Sequence, residues 1–170
     1  MNVGGHRLTN AELRAHFMAI GLNDVATFRA SGNVVFSADP QSPHELEQRI
    51  EQGLAAALGY EVPTFIRAAR EMQAMATVEP FAPEQVATSA GKLQVSLLSE
   101  PASTSAREAV LALASDSDKL AFGARELYWL PSGGILDSTL DLTGISRLVG
   151  VTTMRTMGTI QALTSKHFSG

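Results

Sequence analysis

The sequence predicts an α+β protein made of two ferredoxin-like halves on the split βαβ plan, the first lacking its opening strand, with a further helix at the C-terminus. Three observations lead there. Helical spacings and short strand patterns follow one another in an order that nearly repeats, αββαβ and then βαββα. Each run holds one tight-turn signal between two strands, Ser31-Gly32-Asn33 in the first and Gly123-Ala124 in the second. Between the runs, residues 80–91 hold three prolines or glycines in twelve positions and show no periodicity, which is the composition of a linker. The expected organisation is residues 1–79 as the first half, 80–91 as the linker, 92–152 as the second half and 153–170 as a terminal helix and tail.

The elements justify this in order. Residues 1–7 read as a glycine loop around Gly4 and Gly5. Thr9 and Glu12 then frame a capping box, in which a hydroxyl and a carboxylate satisfy free amides at a helix start. Leu13, Phe17 and Ile20 recur at helical spacing, and Gly21 ends the helix. Residues 24–29 and 33–37 read as the strands on either side of the first turn. Ser42 and Glu45 form a second capping box with Pro43 at the first helical position, where its missing amide is not needed. Leu46, Ile50, Leu54 and Leu58 carry that helix to Gly59. Residues 62–67 read as a strand on a sheet edge, because Pro63 has no amide to give a ladder. A short helix is expected around residues 71–77.

In the second half, residues 92–98 alternate, with Leu93, Val95 and Leu97 on one face. Residues 103–114 read as a helix with Ala106, Val110 and Leu113 inward. Residues 119–122 and 126–130 form the second hairpin, residues 138–149 a helix, and Thr153 caps a last helix through residue 164.

Composition narrows the function classes. The 170 residues contain no cysteine, which excludes a disulfide scaffold, a thiolate nucleophile and thiolate metal sites. A cytoplasmic location is expected, since a reducing compartment fits that composition and no signal pattern opens the chain. No apolar run reaches the roughly 18–20 residues that span a bilayer, so no membrane partner is expected. The net charge is −4, and residues 1–80 carry six arginines against nine acids. Broad nonspecific nucleic-acid binding therefore lacks its usual driving force.

The first half poses a topological problem. A ferredoxin-like sheet has the spatial order 4-1-3-2, so the strand it lacks is a central one. Each buried main-chain group left without a partner costs about 1–3 kcal/mol. Several of them would approach a domain's whole stability of about 5–15 kcal/mol. Three expectations follow: Met1 lies inside the first loop of a longer polypeptide, another chain or a shifted strand fills the slot, or the element order differs from the plan.

Two motifs distant in sequence should meet at one end of the first half. The Gly4-Gly5 loop precedes the first helix, and the Ser31-Gly32-Asn33 turn returns to the same end. Free amides at a helix start favour an anion, glycines permit close approach, and Arg7 and Arg29 add positive charge. Asn2, Gly4, Gly5, Arg7, Arg29, Ser31, Gly32 and Asn33 are therefore the candidate ligand-binding residues, for an anion of the nucleotide or phosphate class. The competing reading is that both segments merely turn the chain. Two further functions stay open: an enzyme acting on a phosphorylated small molecule at the same rim, and an interaction module. A homodimer is among the partners considered. No cofactor is expected, because the glycine spacing matches neither a Walker loop nor a dinucleotide fingerprint. No metal is expected either, because His6, His16, His44 and His167 show no ligand spacing.

Asn2-Val-Gly-Gly5, Ser31-Gly-Asn-Val-Val-Phe36, Leu130-Pro-Ser-Gly-Gly134 and Thr152-Thr-Met-Arg155 together resemble the bacterial family known as domain of unknown function 1697, over essentially the whole chain. Members of that family usually begin with a strand ending in Arg-Gly-Ile before Asn-Val-Gly-Gly, and Met1 stands where the isoleucine would be. The family's late motif resembles Thr-Thr-Arg-Asn-Trp-Asn-Thr, whereas this chain has Thr153-Met-Arg-Thr-Met-Gly-Thr159, without the amides and the indole. The resemblance implies a fold but carries no established activity.

Other residues have plainer expectations. Asp116, Asp118, Asp137 and Asp141 read as turn and cap residues. Met72, Met75, Met154 and Met157 read as core fillers. Tyr128 and Trp129 fall on opposite faces of a strand, one in the core and the other a candidate platform for a stacked base. Arg155 falls in the first turn of the last helix, where the dipole disfavours a cation unless an anion or a carboxylate stands beside it.

Overall fold

The structure is a computed structural model that describes residues 2–3 and 6–168, with side chains described from Leu8 onward. The described residues divide into two compact units, residues 1–66 and 67–170. The boundary falls ahead of the expected linker, and within residues 80–91 a short helix occupies Pro83–Thr88.

In the first unit, β1 (Asn2–Val3) pairs antiparallel with β2 (His6–Arg7), so the expected glycine loop carries two short strands. Helix α1 (Asn10–Ala19) starts at the capping box read from Thr9 and Glu12. It buries Leu13 and Phe17 and stops before Gly21, whose φ of 87° suits glycine. Strands β3 (Asn23–Phe28) and β4 (Asn33–Ser37) form a two-stranded antiparallel sheet with an irregularity between Asn23 and Ala26. Helix α2 (Pro43–Leu58) begins at the Ser42–Glu45 box and ends at Gly59, with φ 80°. Leu8, Leu13, Phe17, Leu22, Val25, Leu46, Ile50 and Leu54 make the core, against which Val34, Phe36, Val62 and Ile66 pack half-buried. The rings of Phe17 and Phe36 lie 5.7 Å apart, joining α1 to β4. Arg49 ties α2 to the end of α1 by donating to the Ile20 carbonyl at 2.6 Å.

The strand expected at residues 62–67 is not formed; this segment has no regular secondary structure. The physical reason is on the adjoining helix. The amide of Thr64 donates to Glu51 Oε1 and that of Ile66 to Glu47 Oε1, each at 2.8 Å, so carboxylates take bonds that a ladder would supply.

In the second unit, α3 (Ala69–Thr77) and α4 (Pro83–Thr88) precede β5 (Gln94–Leu98). There follow α5 (Thr104–Leu111), β6 (Asp118–Phe122), β7 (Glu126–Pro131), α6 (Leu142–Val149), β8 (Thr152–Thr156) and α7 (Met157–His167). The sheet is antiparallel with the order β6-β7-β5-β8. β5 is central and buried at all five positions, more than the single apolar face read from its alternation. Leu98, Leu120, Leu127 and Trp129 pack with Val110 of α5 and Ile145 of α6. The opposite face carries Val95, Leu97, Tyr128 and Leu130, which are also buried. Helices α3 and α7 lie against each other and bury Met72, Met75, Met157, Ile160 and Leu163.

The C-terminal segment also differs from the expectation. The last helix begins at Met157, capped by Thr156, and the residues before it are the edge strand β8. Three threonines in five residues favour an extended backbone, and β5 offers them an open edge. Arg155 therefore sits in a strand opposite Val95, not in a helical first turn, and the expected conflict with the helix dipole does not arise. Its guanidinium donates to Thr153 Oγ1 at 2.9 Å and to the Met154 carbonyl at 2.7 Å, and burial lowers its affinity for its proton.

Candidate functional site

The β3–β4 turn is built from its own polar groups. Arg29 and Gly32 both have left-handed backbones, with φ 58° and 74°. Asn33 Nδ2 donates to Ser31 Oγ at 2.8 Å and to the Phe28 carbonyl at 3.3 Å, closing the hairpin from within. Arg29 is exposed, and its guanidinium carbon stands 5.2 Å from the centre of the Phe28 ring.

This turn meets the start of α1. Asn10 Nδ2 donates to the Arg29 carbonyl at 3.1 Å, so the first helical residue and the turn share one end of the first unit. The helix start is already partly occupied. Glu12 accepts from the Thr9 amide at 2.8 Å and from its hydroxyl at 2.7 Å, and the backbone and side-chain bonds from Thr9 hold this carboxyl below its ordinary range. Of the other candidates, Gly4 and Gly5 lie outside the described residues. The side chains of Asn2, Arg7 and His6 do so as well, although their backbones form β1 and β2.

Two buried polar groups in the second unit escaped the reading of the sequence. Asp118 is 3% exposed and accepts from Trp129 Nε1 at 2.7 Å and Ser138 Oγ at 2.8 Å, so it is a core partner rather than the expected turn residue. Asp141, by contrast, caps α6 as expected. Arg67, Glu126, Arg125 and Glu71 form a linked cluster. Arg125 donates to Glu71 at 2.9 Å and to the Ser99 carbonyl at 3.0 Å. Burial by itself would raise the Glu71 carboxyl, but the Ala68 amide and Arg125 outweigh it and lower it. Nothing in residue spacing announces these partners, which are 54 and 59 positions apart.

Tyr128 and Trp129 are both buried, at 3% and 2% exposure, so neither offers a platform for a base. β7 lies inside the sheet with both faces covered, which the alternation of one strand cannot disclose. Among the described residues no group of three or more His, Asp or Glu side chains is placed to hold a metal ion. No described helix is long and apolar enough to cross a membrane.

Residues 1–128 match the family described as protein of unknown function (DUF1697). The chain belongs to this family. As a DUF1697 chain it also resembles, over its length, the solved structure of a conserved bacterial protein from Streptococcus pneumoniae. The two are 19% identical with a TM-score of 0.71, covering 98% of this chain and 92% of the other. At that identity the likeness concerns the fold alone. No curated protein matches the chain.

Proposed function

We propose that this DUF1697 chain is a cytoplasmic binding protein that accepts an anion of the nucleotide-phosphate class on the rim made by the start of α1 and the β3–β4 turn. The observation that carries the reading is the Asn10–Arg29 hydrogen bond of 3.1 Å, which fastens an exposed arginine's backbone to a helix start. Glu12 already sets one carboxylate on that start. An incoming anion would therefore rest on Arg29 more than on the helix amides, with Asn2, Gly4, Gly5 and Arg7 completing the rim from the segment just before α1. Ser31, Gly32 and Asn33 act in this reading by holding the turn that presents Arg29. The same reading takes both units as variants of the ferredoxin-like plan; the order β6-β7-β5-β8, with α5 and α6 joining its strands, supports it for the second.

Isothermal titration with inorganic phosphate, nucleotides and short oligonucleotides tests the site. Binding by at least one of them, weakened about tenfold to a hundredfold in Arg29→Ala as expected for a lost charge-assisted bond of about 1.5–3 kcal/mol, supports it. Heat from none of them overturns it.

A further inference from the structure

In the second unit the loop between β7 and α6 closes as a tight turn, in which the Asp137 amide donates to the Gly134 carbonyl at 3.0 Å. Its two central residues are Ile135 and Leu136. Such positions favour proline, glycine and short polar side chains, each for a conformational reason that neither isoleucine nor leucine supplies. The core does not take them either: Ile135 is 46% and Leu136 94% exposed. Single exposed apolar residues are ordinary, but these two have company. Leu142 at the start of α6, and Leu111 and Leu113 at the end of α5, are also exposed, and α5 lies against α6.

The turn is held in place from both sides. Before it, the Ser132 amide donates to the Ser117 carbonyl at 2.7 Å. After it, Ser138 Oγ donates to the buried Asp118 at 2.8 Å and accepts from the Leu140 amide at 3.0 Å. A side chain at Gly134 would strike the Asp137 carboxylate, so glycine is needed there. The apolar pair is thus presented on a fixed frame, which spares a partner the entropy of ordering it. The charge around it is mainly negative. Residues 111–118 and 132–142 contain no Lys or Arg, and Asp116, Asp137 and Asp141 are exposed. Lys119 lies on the sheet face opposite that of Asp118. Lys92 follows Gly91, which abuts the Pro131 and Gly133 carbonyls, and so sets one base beside three acids.

We infer that the Gly134–Asp137 turn and the leucines beside it dock a basic amphipathic helix of another protein. Ile135, Leu136 and Leu142 bury the apolar stripe of such a helix, and the aspartates meet the Lys or Arg residues that border the stripe. Charge selects this occupant. A second copy presenting the same patch would set Asp137 and Asp141 against their own equivalents. An anionic membrane surface would repel all three aspartates. The anion rim lies in the first unit, so this inference is independent of it.

The experiment titrates the full chain with a synthetic amphipathic helical peptide of Leu and Lys, and with its counterpart carrying Glu in place of Lys. The methyl resonances of Ile135, Leu136 and Leu142 are followed. Expected are saturable shifts with the Lys peptide, weakened by salt as the aspartates are screened. The affinity should fall about tenfold or more in Leu136→Ser, as a leucine loses its burial, while the urea midpoint stays unchanged. Any of four results overturns the proposal. The Lys peptide shifts none of these methyls, or the Glu peptide binds equally well. Leu136→Ser binds as the wild type does, or loses binding together with a lowered midpoint, which would give Leu136 to the fold. The same methyls shift with protein concentration alone, which would assign the surface to a second copy. Phospholipid vesicles shift them and the Lys peptide does not, which would assign it to a membrane.

Discussion

Arg67 and Glu126 form an ion pair almost closed to water, with Nε 3.1 Å from Oε1 and side chains 2% and 8% exposed. Arg67 also donates to the carbonyls of Leu98 at 2.8 Å and Arg125 at 2.7 Å. Burial lowers the guanidinium's hold on its proton and nearby Arg125 adds to this, while Glu126 opposes both. Removing one partner of such a pair leaves a buried charge uncompensated, which costs about 3–5 kcal/mol. Arg67→Met is therefore expected to lose that much in urea unfolding, and the double variant Arg67→Met, Glu126→Leu to regain most of it. A loss of only about 0–1 kcal/mol in the single variant, the worth of a surface pair, would contradict the assignment.

Tyr128 gives the fold an alkaline limit. Burial, then the charge of Glu126, pushes its phenol from 10.0 up to about 12. A raised value means that the folded protein prefers the neutral phenol. The contribution is complete below pH 10 and is lost as pH rises through about 12. In a Tyr60→Phe variant, tyrosinate absorbance should stay low near pH 10 and rise near pH 12 together with loss of near-ultraviolet dichroism. Titration at the ordinary value with the fold intact would show the hydroxyl to be solvated.

The bond of 2.7 Å from Trp129 Nε1 to Asp118 lies wholly inside the second unit. Asp118→Leu leaves the indole N–H and the Ser138 hydroxyl without their acceptor, at about 1–3 kcal/mol for each buried group. Asp118→Asn keeps a carbonyl oxygen in place and should lose less. Urea midpoints ranking the wild type above Asn and Asn above Leu are expected. Equal midpoints for Asn and Leu would mean that the bond adds nothing.

What the sequence disclosed follows from how local each cause is. Both capping boxes, the two hairpins and helix α2 were legible, because Thr9 with Glu12, Ser42 with Glu45 and the leucines of α2 act within a few positions. The edge strand β8 was not, since Thr153 and Thr156 are both good caps and only the open edge of β5 decides between them. Residues 62–66 failed for a related reason: Val62, Thr64 and Ile66 are β-branched and suit a strand, but a strand needs a neighbour, and Glu47 and Glu51 answered instead. At the rim, Ser31, Gly32 and Asn33 were legible as a turn, whereas the link from Asn10 to Arg29 spans 19 positions and leaves no local pattern.

That substitution of carboxylates for a strand is itself testable. Glu51 and Glu47 are one helical turn apart on α2, and they meet Thr64 and Ile66, two residues apart on an extended segment, at 2.8 Å each. The spacing of one element thus matches the spacing of the other, and each carboxylate has its own amide. Glu47→Leu should speed amide exchange at Ile66 while Thr64 keeps its protection, and Glu51→Leu should do the reverse. Each is expected to cost about 1–3 kcal/mol, with Glu47→Leu nearer the lower bound because leucine suits that buried position. If either substitution releases both amides equally, the segment opens as one body and the two bonds do not act separately.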